Sequence, residues 1–209
     1  MICRKKYPNM DSEILDNHKR YLERVALFKS YGYDVEKERN FIVEQAKPLH
    51  GRILEAGTGK GYFALVLAQA GYKFTTFDIS QEEQTFARLN LKYFGLDKQV
   101  NFRIENGECL RFKDKRFDVV FSVNTIHHLS NPYKVMDELI RVLSPEGKMV
   151  LSDFTRAGIK LMDKILSGEG RKHEVSKTTL SDIEIYLKSR GFRTEKYQTR
   201  FQDVLINYQ

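Results

Sequence analysis

Along this chain, apolar positions alternate between helical and strand-like spacing. From residue 10 to 30, Ile14, Leu15, Tyr21, Leu22, Val25, Leu27 and Phe28 fall on one helical face. Tyr31-Gly32-Tyr33-Asp34 breaks that pattern, and a second helix resumes over Val35 to Lys47. Short apolar runs then recur as predicted strands: Ile53-Leu54 ending in Glu55, Phe74 to Phe77, Val100 to Ile104, Phe117 to Val123, and Lys148 to Asp153. Helical stretches fall between them. Tyr62-Phe63 opens one, Ser80 caps a second with Glu83 three residues on, and Pro132 to Leu143 carries Val135, Met136, Leu139, Ile140, Val142 and Leu143 at helical spacing. The near-continuous apolar run Phe117–Val123 marks a strand buried on both faces. Phe154 to Met162 leads into Asp163–Glu174, whose glycines and charges predict a mobile segment. A helix over Thr179–Arg190, ended by Gly191, precedes two alternating strands, Phe192–Tyr197 and Gln202–Tyr208.

The first strand ends in Glu55-Ala56-Gly57-Thr58-Gly59-Lys60-Gly61, an acid followed by three glycines at alternate positions. Glycines there permit positive φ and close approach of a ligand to the main chain, and the helix that follows offers free N–H groups in its first turn. The turn therefore predicts a cradle for a nucleoside-bearing ligand. A phosphate-binding P-loop does not fit, because Leu54 stands where its first glycine should be and Gly61 follows Lys60. A dinucleotide fingerprint fits poorly, because the third glycine comes one place early and Tyr62 takes the helix–strand packing position. Asp78 closes the second strand, about 20 residues beyond the glycines, where a carboxylate can accept from ribose hydroxyls. Asn106-Gly107-Glu108 follows the third strand, and Asn124-Thr125-Ile126-His127-His128-Leu129-Ser130 follows the fourth.

In this order the segments resemble the motifs of class I S-adenosylmethionine-dependent methyltransferases. Glu55 to Gly61 is similar to motif I, and Phe77-Asp78-Ile79-Ser80 to the family's second-strand ending. The block from Phe117 through the Ser144-Pro145-Glu146-Gly147 turn to Asp153 is similar to motifs IV and V. The likeness is good over residues 41 to 153 and loose elsewhere. It implies an α/β, doubly wound, Rossmann-like seven-stranded mixed sheet with helices on both faces, its last strand antiparallel. It further implies a single methyltransferase domain over 1–209. N-terminal lid helices would occupy 1–50, the cofactor-binding core 51–153, and a substrate-side lid with the terminal hairpin 154–209.

The cofactor implied is S-adenosyl-L-methionine, held by Glu55, Gly57, Thr58, Gly59, Gly61, Asp78, Ile79, Asn106, Gly107, Glu108 and Asn124. The family usually has Asp where Asn106 stands; the Asn carbonyl can still accept from an adenine amino group, without charge assistance. Methyl transfer from a sulfonium is an in-line displacement, so a general base is required only for a protonated acceptor. His128 is the first catalytic candidate, set against a packing and loop-capping role shared with His127, which is expected to point into structure. His173, between Arg171 and Lys172, is the second, set against a solvated loop histidine. Tyr31 or Tyr33 could lie near the sulfonium or simply pack.

The chain resembles most the small-molecule group that includes quinone-biosynthesis methyltransferases. The expected acceptor is a small molecule; an RNA methyltransferase and a non-catalytic cofactor-binding partner module are the alternatives. A nicotinamide-dependent oxidoreductase rests on the shared fold alone. Asn131-Pro132-Tyr133 is similar to part of the adenine-N6 methyltransferase motif, but stands well beyond the end of the fourth strand. A helix start explains it.

Composition narrows this picture in three respects. At 209 residues and 41% hydrophobic, the chain has the length of one domain with a substantial core. It contains no apolar run long enough to span a membrane, and its first residues lack a signal-peptide pattern. Its two cysteines, Cys3 and Cys109, suggest neither a disulfide framework nor a zinc site. A cytoplasmic protein, monomer or homodimer, is expected. The net charge of +7 is uneven: residues 53–153 hold 13 basic and 13 acidic side chains, residues 1–52 hold 11 and 8, and residues 154–209 hold 11 and 7. The excess lies on the flanks, which suggests an anionic acceptor, with nucleic acid less favoured, or simply a basic surface.

Overall fold

The structure, a computed structural model, describes residues 11–172 and 176–209. Seven strands form one sheet: β1 (Ile53–Ala56), β2 (Phe74–Asp78), β3 (Val100–Ile104), β4 (Phe117–Val123), β5 (Leu143–Phe154), β6 (Arg193–Gln198) and β7 (Gln202–Tyr208), in the order β3-β2-β1-β4-β5-β7-β6. The pairings from β3 across to β5 are parallel, while β7 runs antiparallel between β5 and β6. The described helices are α1 (Ser12–Ser30), α2 (Val35–Ala46), α3 (Tyr62–Gln69), α4 (Gln81–Tyr93), α5 (Pro132–Val142), α6 (Arg156–Gly168) and α7 (Leu180–Ser189). This is the doubly wound mixed sheet that the resemblance implies.

The period-two geometry of a strand explains the two core layers. Ile53, Val119, Phe121 and Val150 point to one face and pack with Ile42, Phe63 and Leu67 of α2 and α3. Leu54, Val120, Met149 and Leu151 point to the other and pack with Met136 and Leu139 of α5 and Ile183 and Leu187 of α7. Strands buried on both faces have no polar side to present, hence the continuous apolar runs in the sequence. The chain winds outward from β1 through β2 to β3, then returns to place β4 on the other side of β1. Such a reversal opens a crevice outside the carboxyl ends of the central strands.

Three local expectations change. The segment from Asp163 continues α6 as far as Gly168. Thr155 caps that helix by accepting from the Gly158 N–H, and Met162 and Ile165 pack against Tyr33 and Phe201, so burial outweighs the local charges and the helix ends only at the glycines. Strand β5 begins at Leu143, which pairs with Phe117 across a register shift, rather than at Lys148. Asn131 occupies the N-cap of α5 but makes no capping bond; its Nδ2 donates to Glu108 Oε1 at 2.9 Å, and Pro132 alone sets the first turn. Ahead of the sheet, α1 packs on α4, and α2 on α3 and β7.

Candidate functional site

The three glycines after β1 do different work. All have positive φ: +87° at Gly57, +48° at Gly59 and +82° at Gly61. A Cβ on Gly57 would lie 2.3 Å from Thr125 Oγ1, and one on Gly61 would lie 2.6 Å from the Ala87 Cβ of α4. Nothing lies within 4 Å of a Cβ built on Gly59. Gly57 and Gly61 thus close the loop against β4's exit and against α4, while Gly59 keeps the main chain approachable. The loop is tied to the end of β2, because the N–H groups of Gly57 and Thr58 both donate to the Phe77 carbonyl at 2.9 and 3.0 Å.

Beneath the loop runs a buried chain of hydrogen bonds. Gln84 Nε2 donates to Thr58 Oγ1 at 3.1 Å, Thr58 Oγ1 lies 2.6 Å from Thr76 Oγ1, and the Thr76 hydroxyl donates to Glu55 Oε2 at 2.6 Å. Burial pushes the Glu55 carboxyl up to about 8; the Thr76 bond opposes this, and the nearby charge of Asp78 adds to it. Asp78 is fixed at the end of β2, its Oδ2 accepting from the Gly59 N–H at 2.8 Å and its Oδ1 from the Ser80 N–H at 2.9 Å. Each oxygen retains acceptor capacity.

After β3, Asn106 Oδ1 accepts from the Glu108 N–H at 2.9 Å and shapes the turn that carries Gly107. After β4, Asn124 adopts φ +53°, a left-handed conformation that Asn tolerates better than most residues. Its N–H donates to the Ser152 carbonyl at 2.8 Å, yet its side-chain Oδ1 and Nδ2 are both buried without a hydrogen-bond partner.

These elements enclose a cleft of about 630 Å³ at the carboxyl ends of β1 to β4. Glu55, Gly57, Thr58, Gly59, Asp78, Ile79, Asn106, Gly107, Glu108, Asn124 and His128 line it, and the Ile79 side chain is largely exposed at its edge. Gly61 does not; it serves the cleft only by letting α3 start against α4. His173 lies outside the described residues. Tyr33 is buried in the core with its hydroxyl bonded to Arg39 and Gln202, and Tyr31 lies at the surface; Tyr62 is the tyrosine that reaches the cleft.

Several lining or supporting residues were not legible in the sequence. Arg39 of α2 lines the cleft, nearly buried, with Nη1 donating to the Tyr33 hydroxyl at 3.1 Å. Among the described residues, no carboxylate pairs with it. Glu105, buried at the end of β3, also lines the cleft and is held by Arg111 Nε at 2.8 Å. His127 points into the structure as expected, but its partner was not foreseen: its Nδ1 lies 2.5 Å from Asp153 Oδ1, and its backbone N–H donates to Asp153 Oδ2 at 3.1 Å. The rings of His127 and His128 are 4.0 Å apart, so this buried pair underlies the histidine that faces the cleft.

A glycine turn, a fixed acid at the second strand end and a polar left-handed exit from the fourth strand thus meet in one cleft at the sheet's switch point. Residues 54–151 match the family model described as a methyltransferase domain. The 27-O-demethylrifamycin SV methyltransferase of Amycolatopsis mediterranei is 29% identical over 69% of this chain and 54% of its own length. The demethylmenaquinone methyltransferase of Tropheryma whipplei is 32% identical over 49% of this chain and 41% of its own. The matched stretch thus spans about half, or less, of these curated relatives.

Among solved structures, a putative S-adenosyl-L-methionine-dependent methyltransferase from Methanococcus maripaludis superposes with a TM-score of 0.69 at 15% identity, covering 91% of both chains. The [4+2]-cyclase SpnF gives 0.67 at 16% identity over 83% of this chain and 81% of its own. At that identity the superpositions speak to fold only. Residues 54–151 are thus similar to a methyltransferase domain, set in a fold shared with solved methyltransferase structures.

Proposed function

We propose that the chain binds S-adenosylmethionine in the cleft and transfers its methyl group to a small-molecule acceptor. The observation that carries this reading is the Asn124 amide, buried in the cleft wall with neither polar atom paired. Leaving such a group unsatisfied costs about 1–3 kcal/mol, a cost that a polar ligand would offset. The surrounding residues fit the cofactor part by part. The Asp78 oxygens retain acceptor capacity for two ribose hydroxyls, Ile79 and Gly107 offer an apolar edge and a close main chain for adenine, and Gly59 admits the ligand to the loop. Arg39 supplies a cation for the amino-acid carboxylate. When bound, the sulfonium brings an already activated methyl group. The chain's part is then to hold the acceptor in line and exclude water.

On this reading residues 51–153 hold the cofactor, and residues 1–50 and 154–209 form the acceptor side of one working unit. His128 faces the acceptor, and the His127–Asp153 pair holds the loop that presents it. The basic flanks favour an anionic acceptor.

Calorimetric titration with S-adenosylhomocysteine and with NAD tests the cofactor. Binding of the first and not the second is expected; the reverse would overturn the reading. A labelled-methyl screen of metabolite and RNA pools tests the reaction. Because a [4+2]-cyclase shares the fold, a non-methylating reaction at the same site is the second reading. Cofactor binding with no label transferred to either pool would favour it.

A further inference from the structure

A second cavity of about 430 Å³ adjoins the cleft, and Lys60 and Tyr62 line both. Its walls come from α1, α4, the glycine loop and the residues just after α6. Four cations line it, Arg20, Arg24, Lys60 and Arg171, against one carboxylate, Glu169. Glu169 is shared, pairing with Arg24 through one oxygen while Arg171 lies 3.6 Å from the other. Lys60 stands 3.9 Å from Glu83, and Arg20 makes a long bond, 3.4 Å, to the Asp16 carbonyl of its own helix. The walls therefore carry an excess of positive charge. Burial lowers the Arg24 guanidinium below its ordinary value; Tyr62 opposes this, and the positive charge of Arg171 lowers it further.

Two buried, hydrogen-bonded amides also line this cavity. Asn17 of α1 and Asn90 of α4 are buried; Asn17 Nδ2 donates to Asn90 Oδ1 at 2.9 Å, and Asn90 Nδ2 donates to the Lys60 carbonyl at 3.3 Å. That network fixes the loop residue shared by the two cavities. One wall is aromatic, with the Tyr21 and Tyr62 rings stacked at 5.5 Å. Converging cations, buried amides and an aromatic wall suit a compact organic anion.

We infer that this cavity is a subsite for the anionic group, a carboxylate, sulfate or phosphate, of the small-molecule acceptor. The inference rests on the methyl-transfer reading above. The cations converge on a concavity rather than running as a stripe across a surface, which favours a small ligand over nucleic acid.

The test uses the full chain with phenyl phosphate as probe and benzyl alcohol as its neutral counterpart, titrated with and without S-adenosylhomocysteine. Arg20 and Arg171 are both exposed, so the double variant Arg20→Gln/Arg171→Gln keeps its fold, which its melting temperature verifies. Phenyl phosphate should bind at least about tenfold more tightly than benzyl alcohol, and the double variant should lose about tenfold or more of that affinity. Its S-adenosylhomocysteine affinity should stay within about twofold of wild type. Equal phenyl phosphate binding by wild type and variant would overturn the subsite, as would no binding by either. A parallel loss of S-adenosylhomocysteine affinity would assign the cations to the cofactor instead. Binding of an RNA oligonucleotide but not of phenyl phosphate would make the face a nucleic-acid surface. Failure of wild type to bind S-adenosylhomocysteine would sink the methyl-transfer reading, while the phosphate titration run without it still decides the anion site.

Discussion

Replacing Gly57 with alanine tests whether the cradle is closed by contact with the exit of β4. The new Cβ would lie 2.3 Å from Thr125 Oγ1 and 2.7 Å from Thr125 Cγ2, at a φ of +87°. The backbone conformation alone costs an L-residue about 1–2 kcal/mol, and overpacking a buried contact adds about 1–3 kcal/mol. The variant should therefore lose about 2–5 kcal/mol, a large share of the roughly 5–15 kcal/mol that holds a typical domain folded.

Thr125→Ala removes both clashing atoms. Alone it should cost about 1 kcal/mol or less, because Thr125 Oγ1 makes only long bonds, 3.4 Å to the Ala56 carbonyl and 3.3 Å to the Val123 carbonyl. Combined with Gly57→Ala it should recover about 1–3 kcal/mol, leaving chiefly the backbone term. Urea unfolding of the four proteins, with equal m-values, reads the coupling directly. Additivity within about 0.5 kcal/mol, or a Gly57→Ala protein as stable as wild type, would refute the packing role. Gly59→Ala is the control. With nothing within 4 Å and φ +48°, it should cost only about 1 kcal/mol of stability while weakening S-adenosylhomocysteine binding.

Asn124→Gly removes an unpaired buried amide and relaxes a left-handed residue, so the ligand-free protein should gain about 1–2 kcal/mol by urea unfolding while S-adenosylhomocysteine affinity falls; a gain in both would detach Asn124 from the ligand. Asp78→Ala should cut that affinity about 10- to 100-fold by calorimetry, and unchanged affinity would place the ribose elsewhere. His128→Ala should lower turnover about a hundredfold or more with cofactor affinity little changed, and an unaltered rate would leave the histidine structural. Glu55 titrates at about 8 in the folded chain against 4.5 in its ordinary state, so the folded state holds an extra proton between those values. Its contribution to stability is fully present below about pH 4.5 and falls as pH rises toward 8, by up to about 1.4 kcal/mol per unit. Glu55→Gln should flatten that slope in urea midpoints compared at pH 5 and pH 8, and an identical slope in both proteins would assign the pH dependence to other groups.

What could be read in the sequence was what lies close along the chain. The glycine turn, Asp78 at the end of β2 and Asn124 at the end of β4 each announce themselves within a few residues, because a strand end and its following turn are local structures. The separate duties of the glycines were not legible: that Gly57 faces Thr125 and Gly61 faces Ala87 depends on which strand and helix stand beside the loop. Arg39 gave no signal within α2, since nothing in a helical pattern says that one arginine turns toward a cleft built by β1 to β4. The His127–Asp153 pair joins residues on adjacent strand ends, and the basic cavity gathers α1, α4 and the residues after α6. Each depends on tertiary adjacency. At α6 the charges pointed the wrong way over Asp163 to Ser167, where Ile165 is buried against Tyr33 and Phe201, while Gly168 and Gly170 do mark the helix end.

The position of β1 between β2 and β4 also governs when the site exists during folding. Ile53 pairs with Phe74 on one side and with Val119 on the other, so the second pairing closes only after the whole β2–α4–β3 excursion has been brought back. Parallel pairing across such a separation is an entropically late event, and contacts of this kind slow folding. Gly57 meets Thr125 only once that pairing is made. No fragment ending before β4 carries the cradle, and a growing chain acquires it only when β4 has emerged. If the glycine loop holds the cofactor as proposed, binding there reports completion of the central sheet, and the binding free energy adds to the stability of the fully formed fold.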